Sequence, residues 1–257
     1  MLDTGSLALA GVAGLVGGAM NALAGGGTFA TMPALLALGT PANVANATSN
    51  LALMPGAAAS AWSFRDELGP VGGLPVRLLA AVTFAAALVG SALLAWTPGA
   101  AFDVIVPWLL LVATLAIVFG PRAAVWLRAR VTIGPRVLVA AQAVLGVYGG
   151  YFGGGIGMMM TATYGLLAGA SPRAMFAPRT LMLATANFAA AIVFVIAGLV
   201  RWEACVPMLA GGILGGWLGA ALGKRLPPGV VRGWTILVSA TTTLVFFHRA
   251  YGLPALS

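Results

Sequence analysis

Two short stretches carry the polar side chains that this chain sets inside otherwise apolar sequence. Directly after Pro41 comes Asn43-Val44-Ala45-Asn46-Ala47-Thr48-Ser49-Asn50. Asn43, Asn46 and Asn50 recur at i, i+3 and i+7, so a helix places them on one face, with Thr48 and Ser49 beside them. In the second half Arg179 and Thr180 stand at a matching helix start, and Asn187 follows further along. Amides, hydroxyls and a guanidinium, together with helix N-termini, are fixed donors suited to a small oxyanion. Two plainer readings stand beside this one. Asparagines within spans also bond helix to helix, and an arginine near a span end also reaches for headgroups or sets topology.

Other chemistries lack their residues. The five acidic residues, Asp3, Asp66, Glu67, Asp103 and Glu203, all fall near the ends of apolar segments, so no mid-span carboxylate offers a proton relay. The single Cys205 and single His248 leave no disulfide within the chain and no metal cluster. There is no Walker sequence, no G-x-S-x-G elbow and no pair of carboxylates placed for hydrolysis. The expectation is a protein that is not an enzyme and needs no cofactor.

The elements that hold these residues are dictated by composition. Of 257 residues, 61% are apolar and 7% charged, and the mean hydropathy is +1.03. A soluble domain needs about a quarter of its residues charged, so this composition belongs in lipid. The net charge of +8 does not imply nucleic acid, because the arginines sit singly or in short loops between apolar segments. Asp3 stands where a signal peptide would carry its positive charge, so the first apolar stretch reads as a span. The apolar segments run 7–38, 42–62, 72–96, 102–119, 137–167, 180–200, 204–223 and 233–247. They predict an all-α polytopic membrane protein of about eight transmembrane helices in one domain, 1–257.

Two of these segments are overlong and broken by glycine: Gly25-Gly26-Gly27 with Pro33 in the first, and Gly153-Gly154-Gly155-Ile156-Gly157 in the fifth. Sliding the second half back onto the first lays Leu166-Leu167 on Leu35-Leu36 and Pro172 on Pro41, with the glycine runs close to each other. This order of breaks predicts an internal repeat, 7–120 and 137–248, joined by a basic loop, 121–136. Each overlong segment crosses once, crosses twice or re-enters. Consecutive glycines stabilise no helix, so Gly25, Gly26 and Gly27 and Gly154, Gly155 and Gly157 are expected to be backbone breaks lining a site between the repeats. The spaced pairs Gly14/Gly18 and Gly146/Gly150 and the series Gly211, Gly215, Gly219 and Gly223 are instead expected at close helix contacts.

The run GGAMNALAGGGTFATMPALLALGTPANVANATSNLALMPGAAAS resembles the first repeat of the TauE/SafE sulfite-exporter family. GGYFGGGIGMMM, AMFAPRTLMLATAN and GLVRWEACVPMLAGGILGGWLGAALGKRLP resemble the second. The resemblance covers nearly the whole chain. It implies a bacterial inner-membrane permease for a small sulfur-containing anion such as sulfite, sulfoacetate or another organosulfonate. Pro178 before Arg179 departs from the family pattern at that helix start.

The expected mechanism is alternating access, with the anion held by Asn43, Asn46, Thr48, Ser49, Asn50, Arg179, Thr180 and Asn187 between the glycine breaks. The lipid bilayer is the other expected partner, and self-association stays open. A non-transporting membrane subunit, or a transporter of an unrelated solute, remains the alternative. With eight crossings, the basic residues fall eight to five on the N-terminal side, which places both termini in the cytoplasm. A segment that crosses twice or re-enters would flip every later assignment.

Overall fold

The computed structural model describes residues 2–128, 134–169, 174–223 and 227–252. Arg130, Arg173, Lys224, Arg225 and the landmark Pro172 lie outside these residues. Ten α-helices make up the described chain: α1 Thr4–Ala24, α2 Thr28–Ala37, α3 Ala42–Ser63, α4 Val76–Trp96, α5 Gly99–Arg128, α6 Pro135–Tyr151, α7 Ile156–Ala168, α8 Phe176–Ile196, α9 Trp202–Gly223 and α10 Pro228–Tyr251. One isolated bridge, Val71 to Leu74, is the only extended pairing among the described residues.

Helix ends follow local chemistry. Asp3 caps α1 by accepting from the Ser6 amide at 3.1 Å. Hydrogen bonding from Ser6 holds the Asp3 carboxyl below the usual carboxylate range. Gly25 ends α1 in the left-handed region, φ 74°, with its amide on Asn21 O. α7 starts after Gly155 at φ 74°. Gly25–Gly27 and Gly153–Gly155 break the overlong segments into two helices each, whereas Gly157, also expected as a break, is the second residue of α7 because the helix resumes at Ile156. At the other boundary, α5 continues as helix to Arg128, through the start of the expected basic loop.

Contacts fix the direction of each helix. Gly14 lies on Met208, Gly18 on Gly212 and Gly219 on Ala19, so α1 and α9 run parallel. Thr48 meets Arg201 and Gly56 meets Gly212, so α3 runs the same way as α9. With α1 and α3 parallel, α2 must bring the chain back. The second half follows suit: Gly146 lies on Thr83 and Ala86, and Gly150 on Ala87, so α6 and α4 are parallel. Met182 beside Thr83 and Phe188 beside Phe84 set α8 parallel to α4, and α7 makes the return. Helices α3, α4, α5, α8, α9 and α10 run from one end of the bundle to the other. The α1–α2 hairpin enters from the N-terminal end, and the α6–α7 hairpin enters from the opposite end.

Each overlong segment is thus a pair of antiparallel helices, α1–α2 and α6–α7, and not the single span expected. Among the described residues six helices, α1, α4, α5, α8, α9 and α10, are apolar and long enough to span a bilayer. α3 is 22 residues and so about 33 Å long, yet its asparagines lower its hydropathy. Trp62, Trp96, Trp202 and Trp234 stand exposed near helix ends, as interfacial tryptophans do. This is an integral membrane protein.

Glycine lets the hairpins sit close to their neighbours. A Cβ on Gly18 or Gly211 would strike the carbonyl of Gly212 or Gly11, and one on Gly150 would strike that of Ala87. Contact at backbone distance replaces the interlocking of large side chains.

Candidate functional site

The two glycine breaks touch. A Cβ added to Gly25 would lie 2.6 Å from Gly157 Cα, and one added to Gly157 would lie 2.8 Å from Gly25 Cα. Both helices that begin here, α2 and α7, direct their N-termini into the bundle, from opposite ends. The first helical amides have no acceptor within their own helix, and the N-terminus carries the positive end of the dipole. Among the described residues the amides of Gly26, Gly27, Thr28, Gly154, Gly155 and Gly157 donate to no protein acceptor. Phe29 flanks the junction, its ring lying against both Gly26 and Gly155.

α3 supplies the polar wall. Ser49 exchanges a short hydrogen bond with Thr31 of α2, and Thr31 in turn donates to Gly27 O at 3.2 Å. On the other side Asn46 Nδ2 donates to Tyr151 O at 3.0 Å, and Asn50 Nδ2 donates to Asn187 Oδ1 of α8 at 3.3 Å. A Cβ on Gly153 would sit 3.6 Å from Asn50 Nδ2. One helix therefore bridges both breaks. Asn46, Ser49 and Asn50, joined by Asn187, form a single buried cluster. The oxygens Asn46 Oδ1 and Asn50 Oδ1 are buried without a partner.

The remaining expected residues are placed elsewhere. Thr48 turns toward α9, where its hydroxyl accepts from the Arg201 amide at 3.0 Å. Asn43 bonds locally, its Oδ1 accepting from the Val44 amide at 2.9 Å. Thr180 donates back to Phe176 O at 2.7 Å. Gly154 packs against the Phe152 ring. Arg179 precedes Asn187 by eight residues on α8, about 12 Å along the axis. It lies toward the end where α7 emerges, since Phe176, one turn earlier, stacks edge-on with Phe64 at the C-terminus of α3. Arg179 is 8% exposed. Its guanidinium lies 4.5 Å above the Phe176 ring, and Nε has no hydrogen-bond partner. Among the described residues it has no acidic partner.

A profile of the family described as "Sulfite exporter TauE/SafE" matches residues 10–246. The chain belongs to the TauE/SafE family. Among curated relatives, a "probable membrane transporter protein" of Haemophilus influenzae is 28% identical over 230 residues, 90% of each chain. "Probable membrane transporter protein YfcA" of Escherichia coli K12 is 28% identical over 240 residues, 93% of this chain and 88% of the relative. "Probable membrane transporter protein ORF9" of a Sinorhizobium species is 31% identical over 218 residues, covering 83% and 80%. No solved structure matches the chain.

In this TauE/SafE chain several site-forming residues escape a reading of the polar stretches alone. Tyr148 donates to Gly154 O at 2.8 Å and lies 3.2 Å from Leu109 O, pinning the second break. Tyr151 accepts Asn46 through its carbonyl. Thr31 ties the first break to α3. A signal was present: two of the four tyrosines fall within the five residues before the second glycine run. A phenol in an apolar span must find a hydrogen-bond partner.

Proposed function

We propose that this protein is a bacterial inner-membrane permease for a small, sulfur-containing anion such as sulfite, sulfoacetate or another organosulfonate. The anion binds where the two breaks meet and is exposed to either side in turn. The observation that carries this reading is the Gly25–Gly157 contact, which brings two inward-facing helix N-termini with unbonded amides to one interior point. Interrupted helices with their positive ends facing inward are a recognised arrangement for holding an anionic group at mid-membrane. The family description, sulfite exporter, supports the substrate class, and the relatives named as membrane transporters support transport itself.

The packing also supports a duplicated origin with two inverted halves, 7–120 and 137–248. The contacts run between the halves: α1 of the first on α9 of the second is matched by α6 of the second on α4 of the first, and α3 on α9 by α8 on α4. Because each half adds three end-to-end helices to a returning hairpin, the halves point in opposite directions. Such halves give two alternative packings of similar energy, which is what alternating access requires.

This arrangement also reverses the expected orientation. Among the described residues Arg65, Arg77, Arg122, Arg128, Arg136, Arg179 and Arg232 lie toward the end from which α6 enters, and Arg201 and Arg249 toward the N-terminal end. The positive-inside rule then puts the α6 end, with Arg179, in the cytoplasm and the N-terminal end outside. Arg179 serves there as the charge that draws an anion toward the breaks.

The test is flux in proteoliposomes holding purified protein. Saturable movement of sulfite or an organosulfonate, lost in Arg179→Ala, is the expected result. Flux that is absent for every anion offered would overturn the permease, and flux indifferent to Arg179→Ala would remove Arg179 from the path.

A further inference from the structure

We propose that Asn46 Oδ1 and Asn50 Oδ1, with the freed carbonyl of Gly149, form a binding site for an alkali cation beside the anion site. Both side-chain oxygens are deeply buried, in residues 1% and 5% exposed, and both lack a hydrogen-bond donor. The orientation of Asn46 is fixed by its neighbour. Its Nδ2 donates to Tyr151 O, which can only accept, so a flipped amide would set oxygen against oxygen. The same face of α3 carries Asn50 one turn on, with Cβ atoms about 5–6 Å apart at that spacing.

The end of α6 supplies the third oxygen. Tyr148 O accepts the amides of both Phe152, at 2.9 Å, and Gly153, at 3.2 Å. The Gly149 carbonyl is therefore left without an amide donor among the described residues. A Cβ on Gly153 would lie 3.2 Å from Gly149 O and 3.6 Å from Asn50 Nδ2, so this carbonyl and the Asn50 amide border the same glycine. Leaving a buried acceptor unpaired is unfavourable. Asn46 and Asn50 thus both border the C-terminus of α6, the negative end of its dipole, and each carries an unpaired buried oxygen.

Ligand chemistry selects the class of ion. Amide and carbonyl oxygens are hard and neutral, which suits Na+ or K+ and not a thiolate- or imidazole-seeking metal. None of the five acidic residues lies on α3, α6 or α8, so nothing would neutralise a divalent ion. A monovalent cation supplies what the interior lacks, a mobile charge opposite to that of the anion. Broken helices in transporters hold coupling ions in this way, through unwound carbonyls. The inference rests on the proposed anion site for its coupling role, but cation binding by itself does not need the anion to be sulfite.

The experiment is thermal unfolding of the full purified chain in detergent, without anion substrate, in NaCl, KCl or choline chloride at equal ionic strength. A cation held at about ten times its Kd is expected to raise the midpoint by about 3–6 °C over choline. Asn50→Leu removes the increment, and Asn50→Asp retains it while shifting half-saturation to lower salt. If the leucine variant does not fold, the direction of the aspartate shift decides. Equal midpoints in all three salts overturn the proposal and leave the oxygens to water. Anion flux that persists in choline with no alkali stabilisation leaves the permease standing and the cation site refuted. Alkali stabilisation with no flux for any anion does the reverse.

Discussion

Arg201 and Arg179 are the same residue type in opposite circumstances. Arg201 sits between α8 and α9 near the N-terminal end. It donates to Leu38 O and to Thr40 Oγ1, both at 2.8 Å. Its charge thus meets the negative end of α2, an ordinary way to close a short helix. Arg179 lies toward the other end, buried over a phenylalanine ring, with Nε unbonded and no acidic partner among the described residues. One cation completes the fold, whereas the other is left incomplete by it. An interior cation that the protein does not satisfy is where an anionic substrate has most to offer.

That contrast can be broken by exchange. Arg179→Ala is expected to have the largest effect on transport. Removing a charge-assisted contact to the anion lowers flux by about 10–100-fold. The unfolding midpoint holds or rises, because an uncompensated buried charge has gone. A fall in midpoint without loss of flux per folded molecule would make Arg179 structural. Arg201→Ala should do the opposite. It strands Leu38 O and the Thr40 hydroxyl and costs roughly 2 kcal/mol of stability, read as a lower midpoint, while flux per folded molecule stays within about two-fold of the unaltered protein. Arg179→Lys keeps the charge but loses the planar fork, so KM should rise several-fold with the maximal rate little changed, as a concentration series would show. The smallest effect is expected from Thr48→Val, which removes the acceptor of the Arg201 amide and lowers stability by about 1 kcal/mol. A loss of flux there would return Thr48 to the substrate path.

The polar stretch on α3 was legible because asparagines in an apolar chain are conspicuous, and Asn46 and Asn50 do share a face, as i and i+4 residues must. Its grouping with Arg179 was not legible. Distance along α8 separates Arg179 from Asn187, and only the antiparallel crossing of α3 and α8 shows which ends of the two helices meet. Thr48 fell off the asparagine face for the same kind of reason: two residues along a helix is a turn of about 200°, and α9 happened to be there. The tyrosine contacts to the second break were hidden because a phenol's partner lies wherever the chain returns.

By itself the sequence determined that this chain lives in a bilayer and that its helices break within the glycine runs Gly25–Gly27 and Gly153–Gly157. Composition fixes the solvent of a protein, and glycine runs fix where a helix stops, both through local free energies that need no neighbour. Tertiary structure alone decided that the helices after those breaks turn back and that the arginine-rich end is the one holding Arg179. A hairpin and a crossing differ only in which surface the second helix meets. Here that is set by the backbone contacts of α1 with α9 and of α6 with α4, between residues about 200 and about 60 positions apart in the chain.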